Sequence, residues 1–125
     1  KHVIGVEIVD AAIRDAKINA KLNQIDNIDF VCSDAANYAK KLEKQGKKPD
    51  VVVVDPPRKG CDDLTLDSIV KMQPKRIVYV SCDPATLARD IKKLDEKGYA
   101  AQVVQPVDMF PFSFHVESIV LLQKR

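Results

Sequence analysis

The sequence predicts an α/β fold in which strands and helices alternate along the whole chain. Short runs of valine and isoleucine have the length of buried strands, and stretches with helical spacing of apolar residues lie between them. Nearly continuous apolar strands are typical of a mostly parallel sheet that is covered on both faces. No helical pattern separates the last two strands, so we expect an antiparallel hairpin at one edge of the sheet.

The ends of the predicted elements follow from residues that cap or break helices. Asp10 and Asp34 precede helical patterns, where a carboxylate can accept hydrogen bonds from the free amides of the first turn. Gly46 and Gly98 follow helical patterns and are suited to end them, because glycine tolerates the left-handed conformation common there. The predicted strands span residues 2–8, 28–32, 50–54, 76–81, 99–106 and 116–122, and the predicted helices span residues 11–22, 35–45, 64–72 and 85–97.

Length and composition narrow the class of protein. The 125 residues, 46% of them apolar, are enough for one small domain with a sizeable core. No run approaches the roughly 20 apolar residues that cross a bilayer, and the first residues do not resemble a signal peptide. Three cysteines without a C-x-x-C pair argue against a disulfide framework or a metal site and favour the reducing cytosol. A net charge of +2 neither requires nor excludes a nucleic-acid partner.

Reactive side chains follow two of the apolar strands. Cys82 comes directly after the strand at 76–81 and directly before Asp83-Pro84, which opens a helix. A cysteine in this position lies where α/β sheets bind ligands and where the helix dipole favours a thiolate. The valine run at 51–54 ends in the same way, at Asp55 and the rigid turn that follows it. Two such strand ends predict one shared crevice.

Five segments in chain order carry a more specific signal. They are Val6-Glu7, Ser33-Asp34, the block from Asp55 to Gly60, the block from Val80 to Asp90, and the segment from Asp108 to Glu117. Together they resemble the catalytic domain of bacterial RNA uracil-C5 methyltransferases. The resemblance implies a Rossmann-like sheet of the class I S-adenosyl-L-methionine-dependent type. It also implies methyl transfer to C5 of a uridine in RNA, with 23S ribosomal RNA expected first and transfer RNA second.

The resemblance assigns chemical roles at the crevice. Uracil C5 is a poor nucleophile, so a thiolate must add to C6 before C5 can attack the methyl group, and Cys82 is the candidate. Glu117 is then expected to remove the C5 proton. Asp55 is expected to hydrogen-bond the uracil or to help hold it against the cofactor. Arg58 and Lys59 are assigned to the RNA, because basic groups beside the crevice position a polyanion.

The resemblance also assigns cofactor ligands and predicts a gap. Glu7 is expected to bind the ribose hydroxyls of S-adenosyl-L-methionine, and Asp34 is expected near its adenine amino group. The family's first strand and Gly-rich loop have no counterpart here, so residues 1–125 are expected to form a partial catalytic domain. Two strand edges would then be left unpaired, which invites dimerisation. We expect the isolated chain to bind the cofactor weakly or not at all and to be inactive.

Two other kinds of function stay open. A noncatalytic fragment that binds RNA or a nucleotide is compatible with the absence of a Gly-rich loop. A cysteine-dependent hydrolase is compatible with Cys82 at a helix start, but it needs a histidine as base. His2 and His115 are the two histidines in the chain.

Several other side chains have both a structural and a functional interpretation. Cys32 and Cys61 lack the sequence context of a nucleophile, and we interpret both as structural. Arg89 either contacts RNA phosphate or supports the turn that follows Asp55. Aromatic side chains before the last strand either stack on a flipped base or pack under the final hairpin. They are Phe110, Phe112 and Phe114.

Overall fold

The computed structural model describes residues 1–125 as six strands and four helices. Every predicted element is found, with its ends within two residues of the predicted ones. None of the helices combines the length and apolarity that a membrane span requires. In chain order the elements are β1 (Val3–Glu7), α1 (Asp10–Leu22), β2 (Ile28–Cys32), α2 (Ala35–Lys44), β3 (Val51–Val54), α3 (Asp63–Met72), β4 (Arg76–Ser81), α4 (Pro84–Glu96), β5 (Tyr99–Val107) and β6 (Glu117–Lys124).

The strands form two separate sheets. β1 and β2 pair in parallel, and the other four strands form a sheet in the order β3-β4-β6-β5. β3 is parallel to β4, while β6 is antiparallel to both β4 and β5. Within this sheet β6 alone therefore runs against its companions. The arrangement confirms a mostly parallel sheet with an antiparallel hairpin at one edge.

β1 and β3 each have one unpaired edge. β1 pairs with β2 alone and β3 pairs with β4 alone, so no ladder of hydrogen bonds joins the two sheets. Apolar side chains on these strands are exposed, with Val3 at 50% and Val53 at 64%. The expectation that the strands ending at Glu7 and just before Asp55 have unpaired edges is confirmed. Such edges offer free N–H and C=O groups to a further strand.

The core lies on one face of the four-stranded sheet. Val52 and Val54 pack against it, so Val51 and Val53, which alternate with them, are exposed on the opposite face. The expectation that helices cover both faces is wrong for this sheet, because α2, α3 and α4 all supply residues to the same cluster while α1 packs against β2. The buried cluster consists of Ala39, Leu66, Ile69, Met72, Ile77, Tyr79, Leu87, Leu94, Tyr99, Val120 and Leu122.

Helix ends are set by aspartates and glycines. The expectation that Asp10 caps α1 is wrong, because Val9 occupies the cap position and Asp10 is the first helical residue, paired with Arg14. A carboxylate in the first turn still interacts favourably with the helix dipole. Gly46 and Gly98 have φ of +68° and +91° and follow α2 and α4 as predicted. Side-chain caps begin the other three helices, namely Asp34 for α2, Asp62 for α3 and Asp83 for α4.

Two leucines in last turns of helices provide a matched test of the core. Leu94 in α4 is fully buried, whereas Leu22 at the end of α1 is 73% exposed. We expect Leu94→Ala to lower the free energy of unfolding by about 2–5 kcal/mol, because it leaves a cavity against the sheet. Leu22→Ala should change it by less than about 0.5 kcal/mol. Urea denaturation of both variants measures the difference, and equal losses would contradict the assignment of the core.

Candidate active site at the strand ends

Cys82 lies in a tightly held turn between β4 and α4. Ser81, the last residue of β4, is buried, and its hydroxyl bonds to both the N–H and the C=O of Asp83 at 3.1 Å. Pro84 is the first residue of α4, where its lack of an N–H removes no helical hydrogen bond. The thiol between these residues is partly exposed and free. It therefore lies at the start of a helix with a backbone fixed on both sides.

Asp83 holds the first turn of α4. Its carboxylate accepts hydrogen bonds from the amides of Thr86 at 2.9 Å and Ala85 at 3.0 Å. The bond from Thr86, followed by that from Ala85, holds the pKa of Asp83 below its usual range. The cap is therefore ionised at neutral pH. It is present above the ordinary pKa of an aspartate and is lost as the pH falls through the lowered pKa of the folded state.

The pairing of β4 with β6 brings Cys82 and Glu117 to the same end of the sheet. Ser81 lies opposite Ser118 in this antiparallel ladder. One step further along the same register, Cys82 follows Ser81 and Glu117 precedes Ser118. Opposite residues in such a ladder lie roughly 5 Å apart between Cα atoms. Glu117 also pairs with Val107 of β5, so its backbone is held from the other side.

Asp55 lies beside them at the carboxyl end of β3. Val54 is level with Tyr79 in the parallel ladder of β3 and β4, so Asp55 follows at the level of Val80. Its side chain is exposed and makes no hydrogen bond within the chain. One end of the four-stranded sheet thus presents a thiol and two carboxylates. Asp55, Cys82 and Glu117 therefore lie at the same end of the four-stranded sheet.

Side chains of α4 hold the loop that follows Asp55. The hydroxyl of Thr86 donates to the carbonyl oxygen of Arg58 at 2.8 Å. Nη2 of Arg89 donates to the carbonyl oxygen of Lys59 at 2.8 Å. Nε of Arg89 donates to Oδ1 of Asp90, also at 2.8 Å. Arg89 therefore supports the turn, while the side chains of Arg58 and Lys59 stay exposed.

Asp90 is the buried charge of this region. None of its surface is exposed, and its Oδ2 accepts hydrogen bonds from the Tyr79 hydroxyl at 2.6 Å and from the Cys61 amide at 2.9 Å. Burial, together with the bond to Asp90, raises the pKa of Tyr79, so the phenol stays protonated and donates. With Arg89 on Oδ1, both oxygens are bonded. Asp90 therefore joins β4, α4 and the loop after Asp55.

The sequence interpretation missed Asp90, although a signal was present. Asp90 comes three residues after Leu87 and four before Leu94, and both leucines are buried in the core. Residues at this spacing share one face of a helix. An aspartate on the apolar face of an amphipathic helix is buried and therefore requires a hydrogen-bond partner. The spacing of Asp90 from the two leucines is the sequence signal that separates it from acids on the protein surface.

Cys61 and Cys32 differ from Cys82 in their surroundings. Burial is the main cause that raises the pKa of Cys61 to about 11, so this thiol is neutral and unreactive near pH 7. Cys32 is exposed at the end of β2, and its sulfur lies 3.5 Å from the carbonyl oxygen of Ile8. Neither thiol lies opposite a carboxylate of the four-stranded sheet. These surroundings agree with the structural interpretation of both.

Glu7 and Asp34 lie at the carboxyl end of the two-stranded sheet. Glu7 is level with Cys32, and its Oε1 accepts a hydrogen bond from the Val9 amide at 2.8 Å. Oδ1 of Asp34 accepts one from the Asn37 amide at 3.0 Å. Each carboxylate keeps its second oxygen free as an acceptor. These two acceptors fit ribose hydroxyls and an adenine amino group, which both donate hydrogen bonds.

Neither the histidines nor the phenylalanines before β6 provide a hydrogen-bond partner for Cys82. His2 precedes β1, at the opposite end from Glu7, and bonds to Asp29 at 2.9 Å. The ring of His115 stands edge-on to Phe110, with 6.1 Å between the ring centres. The other two aromatic side chains, Phe112 and Phe114, are fully exposed and do not pack under the hairpin. The chain contains no group of three side chains arranged to hold a metal ion.

The fold and the strand-end site define a class I S-adenosyl-L-methionine-dependent methyltransferase domain. The crystal structure of Pyrococcus abyssi tRNA (uracil-54, C5)-methyltransferase in complex with S-adenosyl-L-homocysteine matches with a TM-score of 0.84 and 35% identity. The match covers 97% of this chain and 28% of the Pyrococcus abyssi chain. A S-adenosyl-L-methionine-dependent methyltransferase from Agrobacterium tumefaciens matches with a TM-score of 0.77 at 18% identity, covering 99% of this chain and 49% of its own. That second likeness concerns the fold alone.

Comparison of sequences identifies the family to which the chain belongs. The model of the tRNA (uracil-5-)-methyltransferase family matches residues 1–125, and the chain belongs to this family. An RNA methyltransferase of Clostridium tetani is 55% identical over 122 residues, which are 98% of this chain and 26% of the relative. One of Bacillus cereus is 56% identical over 124 residues, 99% of this chain and 27% of the relative. The resemblance in sequence is confirmed, and the chain spans about a quarter of the length of these relatives.

Gly60 in the held loop provides a test of how closely α4 approaches it. Its φ is +76°, and a Cβ there would lie 2.5 Å from Oδ2 of Asp90. Gly46 has a similar φ of +68° but has nothing within 4 Å of such a Cβ. We expect Gly46→Ala to cost about 1–2 kcal/mol, the strain of the left-handed conformation. Gly60→Ala should cost about 1–3 kcal/mol more from overpacking, measured by denaturant unfolding. Equal costs for the two variants would contradict the close approach.

Proposed function

We propose that this chain supplies the catalytic residues of an RNA uridine C5-methyltransferase that uses S-adenosyl-L-methionine. The observation that carries the proposal is the position of Cys82 between β4 and α4, one residue beyond the Ser81–Ser118 pair and therefore beside Glu117 at the start of β6. A thiol and a carboxylate on neighbouring strands suit a reaction that needs both a nucleophile and a base. Membership of the uracil-5-methyltransferase family supports the same conclusion.

In the proposed reaction Cys82 acts first. The thiol gives its proton to solvent, which reaches the partly exposed sulfur, and the thiolate adds to C6 of the uracil, so that a sulfur–carbon bond forms and the electron pair of the C5–C6 double bond moves to the enolate. C5 is now a nucleophile. S-adenosyl-L-methionine supplies the methyl group to C5 and leaves as S-adenosyl-L-homocysteine. The partly exposed position of Cys82 gives a base access to its sulfur.

Glu117 completes the reaction in this proposal. After methyl transfer C5 carries both a proton and the new methyl group, and the C6–S bond cannot break until that proton leaves. The carboxylate of Glu117 removes it, the double bond re-forms, and the Cys82 thiolate is released. We assign Asp55 to the uracil ring, because its side chain is exposed at the same edge and has no other partner in the chain.

Basic side chains beside the crevice suit RNA. Arg58 and Lys59 have exposed side chains, while their carbonyl oxygens are held by α4. A fixed backbone with free cationic groups orients a phosphate backbone without reading its sequence. We assign both residues to RNA phosphate. Their position in the loop that follows Asp55 would bring the RNA to the same edge as Cys82.

We assign cofactor binding to Glu7 and Asp34, with Asp55 at the boundary between cofactor and uracil. Glu7 has a free carboxylate oxygen for ribose hydroxyls, and Asp34 has one for the adenine amino group. Their fit concerns the adenosine end of the cofactor. S-adenosyl-L-homocysteine in the Pyrococcus abyssi protein supports this choice of ligand.

The class of RNA and the compartment are finer parts of the proposal. From the sequence we rank 23S ribosomal RNA first and transfer RNA second. The family description and the Pyrococcus abyssi protein both name transfer RNA, which favours the second choice. A cytosolic location agrees with three free thiols. Both ribosomal RNA and transfer RNA are therefore tested as substrates.

A noncatalytic fragment that binds RNA or a nucleotide is the second candidate. The observation that favours it is the division of the sheet, since no ladder joins the strand ending at Glu7 to the sheet that carries Cys82. Loss of alignment between cofactor and thiol would leave binding without turnover. This candidate concerns residues 1–125 alone, as a partial methyltransferase catalytic domain, and not a protein of the relatives' full length.

Substitution of Cys82 tests the proposed reaction. In the full-length protein, Cys82→Ala should abolish both methyl transfer from tritiated S-adenosyl-L-methionine and the covalent adduct with RNA containing 5-fluorouridine. Cys32→Ala removes an exposed thiol away from β4 and should keep both activities. The methylated nucleotide in ribosomal and transfer RNA is then identified by mass spectrometry. If Cys82→Ala still forms 5-methyluridine, or if the wild type modifies a different base, the proposal fails.

A titration of the isolated chain separates the two candidates. We expect residues 1–125 alone to show weak or no heat of binding with S-adenosyl-L-methionine, because no ladder joins the strand that ends at Glu7 to the sheet that leads to Cys82. Micromolar affinity in calorimetry would contradict this expectation. The single chain gives no support for the expected dimer, which stays a prediction. Sedimentation of the same sample tests it, since unpaired edges favour self-association.

A further inference from the structure

We propose that Thr86, Arg89 and Asp90 of α4 are positioning residues that set the loop at 55–61 against Cys82. We call these three side chains the α4 anchor. The inference rests on the proposed function, because it concerns how Asp55, Arg58 and Lys59 reach their working positions. None of the three anchor residues needs to touch RNA or cofactor for this role.

The α4 anchor binds the loop through its backbone. Its residues are spaced i, i+3 and i+4, so they share one face of the helix. The four bonds from this face reach the loop at residues 58, 59 and 61. Oγ1 of Thr86 donates to the carbonyl oxygen of Arg58 at 2.8 Å. Nη2 of Arg89 donates to the carbonyl oxygens of Lys59 at 2.8 Å and of Cys61 at 3.4 Å. Oδ2 of Asp90 accepts from the amide of Cys61 at 2.9 Å.

The same helix also holds the turn that contains the nucleophile. The amide of Thr86 donates to the Asp83 carboxylate at 2.9 Å, and its hydroxyl lies 3.3 Å from the Asp83 carbonyl oxygen. Thr86 therefore contacts the residue after Cys82 and the backbone of Arg58 at once. Because α4 is a rigid helix, a displacement of the loop relative to Cys82 requires these bonds to break.

Asp90 also holds β4, the strand that ends just before Cys82. Its Oδ2 accepts the hydroxyl proton of Tyr79, which lies on β4 three residues before Cys82. Arg89 neutralises the buried carboxylate from the other oxygen. A buried ion pair often adds little to stability compared with apolar residues of the same size. Its effect here is to define one geometry for strand, helix and loop.

The expected consequence is a loss of turnover without a loss of cofactor affinity. Misplacing a reacting group by about 1 Å can cost roughly 100-fold in rate. Of the proposed cofactor ligands, Glu7 at the end of β1 and Asp34 at the start of α2 lie outside the loop at 55–61 and form no hydrogen bond with the α4 anchor. Weakening the anchor should therefore lower kcat and leave the KM for S-adenosyl-L-methionine nearly unchanged.

Two anchor variants and two controls test the inference in the full-length protein. Thr86→Val keeps the shape of the side chain and removes the hydroxyl, while Thr86→Ser restores it. Asp90→Asn keeps the size and removes the charge. Lys97→Gln is the matched control, because it breaks an exposed ion pair with Asp67 at the far end of the same helix. Each protein is assayed for methyl transfer and is digested with trypsin under native conditions.

Trypsin reports on the loop independently of activity, because Arg58 and Lys59 are both cleavage sites. We expect cleavage after these residues to be about 10-fold faster in Thr86→Val and Asp90→Asn than in Lys97→Gln, since local opening exposes the bonds. We expect their kcat to fall by about 10-fold or more, with the KM for S-adenosyl-L-methionine within about threefold of wild type. Thr86→Ser should recover both properties.

Three results would overturn the inference. In the first, trypsin cleaves the anchor variants after residues 58 and 59 no faster than it cleaves Lys97→Gln. In the second, cleavage of the anchor variants is faster at all sites alike. In the third, the loop is released but kcat does not change. If the wild-type protein methylates no uridine, the proposed function fails. The site and rate of cleavage in Thr86→Val and Asp90→Asn then decide by themselves whether α4 holds the loop.

Discussion

The buried carboxylate of Asp90 is the interaction on which the site depends. It accepts hydrogen bonds from a strand, from its own helix and from a loop, so these parts keep one relative arrangement. A buried charge tolerates little displacement, because each lost bond leaves a costly unpaired group in a region of low dielectric. The same constraint explains the glycine at position 60, because the absence of a side chain there leaves room for Asp90 and Arg89. Only a glycine combines that space with a positive φ.

Strand order separates the chain into a larger sheet that carries the core and a smaller two-stranded sheet. The core, α4 and the crevice with Cys82 belong to the four-stranded sheet, whose inner strands are paired on both sides. Glu7 ends β1 of the two-stranded sheet, and Asp34 follows β2 and caps α2. This sheet packs against α1, whose single buried side chain is Ile13, and also contacts α2. Two-stranded sheets have little stability by themselves. The nucleophile is therefore better supported within residues 1–125 than the proposed cofactor ligands are.

Local signals made much of the fold predictable, and long-range contacts account for what was missed. β2 and β4 have the predicted ends, because a valine- and isoleucine-rich run between polar residues defines a strand. The exposed face of the larger sheet was not predictable, since periodicity shows which residues are apolar but not on which side the helices pack. The proximity of Cys82 and Glu117 depends on β6 lying between β4 and β5, an order that no local pattern contains. Asp90 was missed because its partners come from distant segments.

The three thiols have different surroundings, which bear on the proposal that Cys82 is the nucleophile. Cys61 lies in the held loop, but burial raises its pKa to about 11, and its amide is committed to Asp90. Cys32 is exposed and level with Glu7, but its thiol donates to the carbonyl oxygen of Ile8, and Oε1 of Glu7 is bonded to the Val9 amide. Cys82 is partly exposed before α4, and the neighbouring strand β6 begins at Glu117. The proposed role of Cys82 therefore rests on the pairing of β4 with β6 and on the cap of α4, and the α4 anchor fixes the loop at 55–61 relative to both.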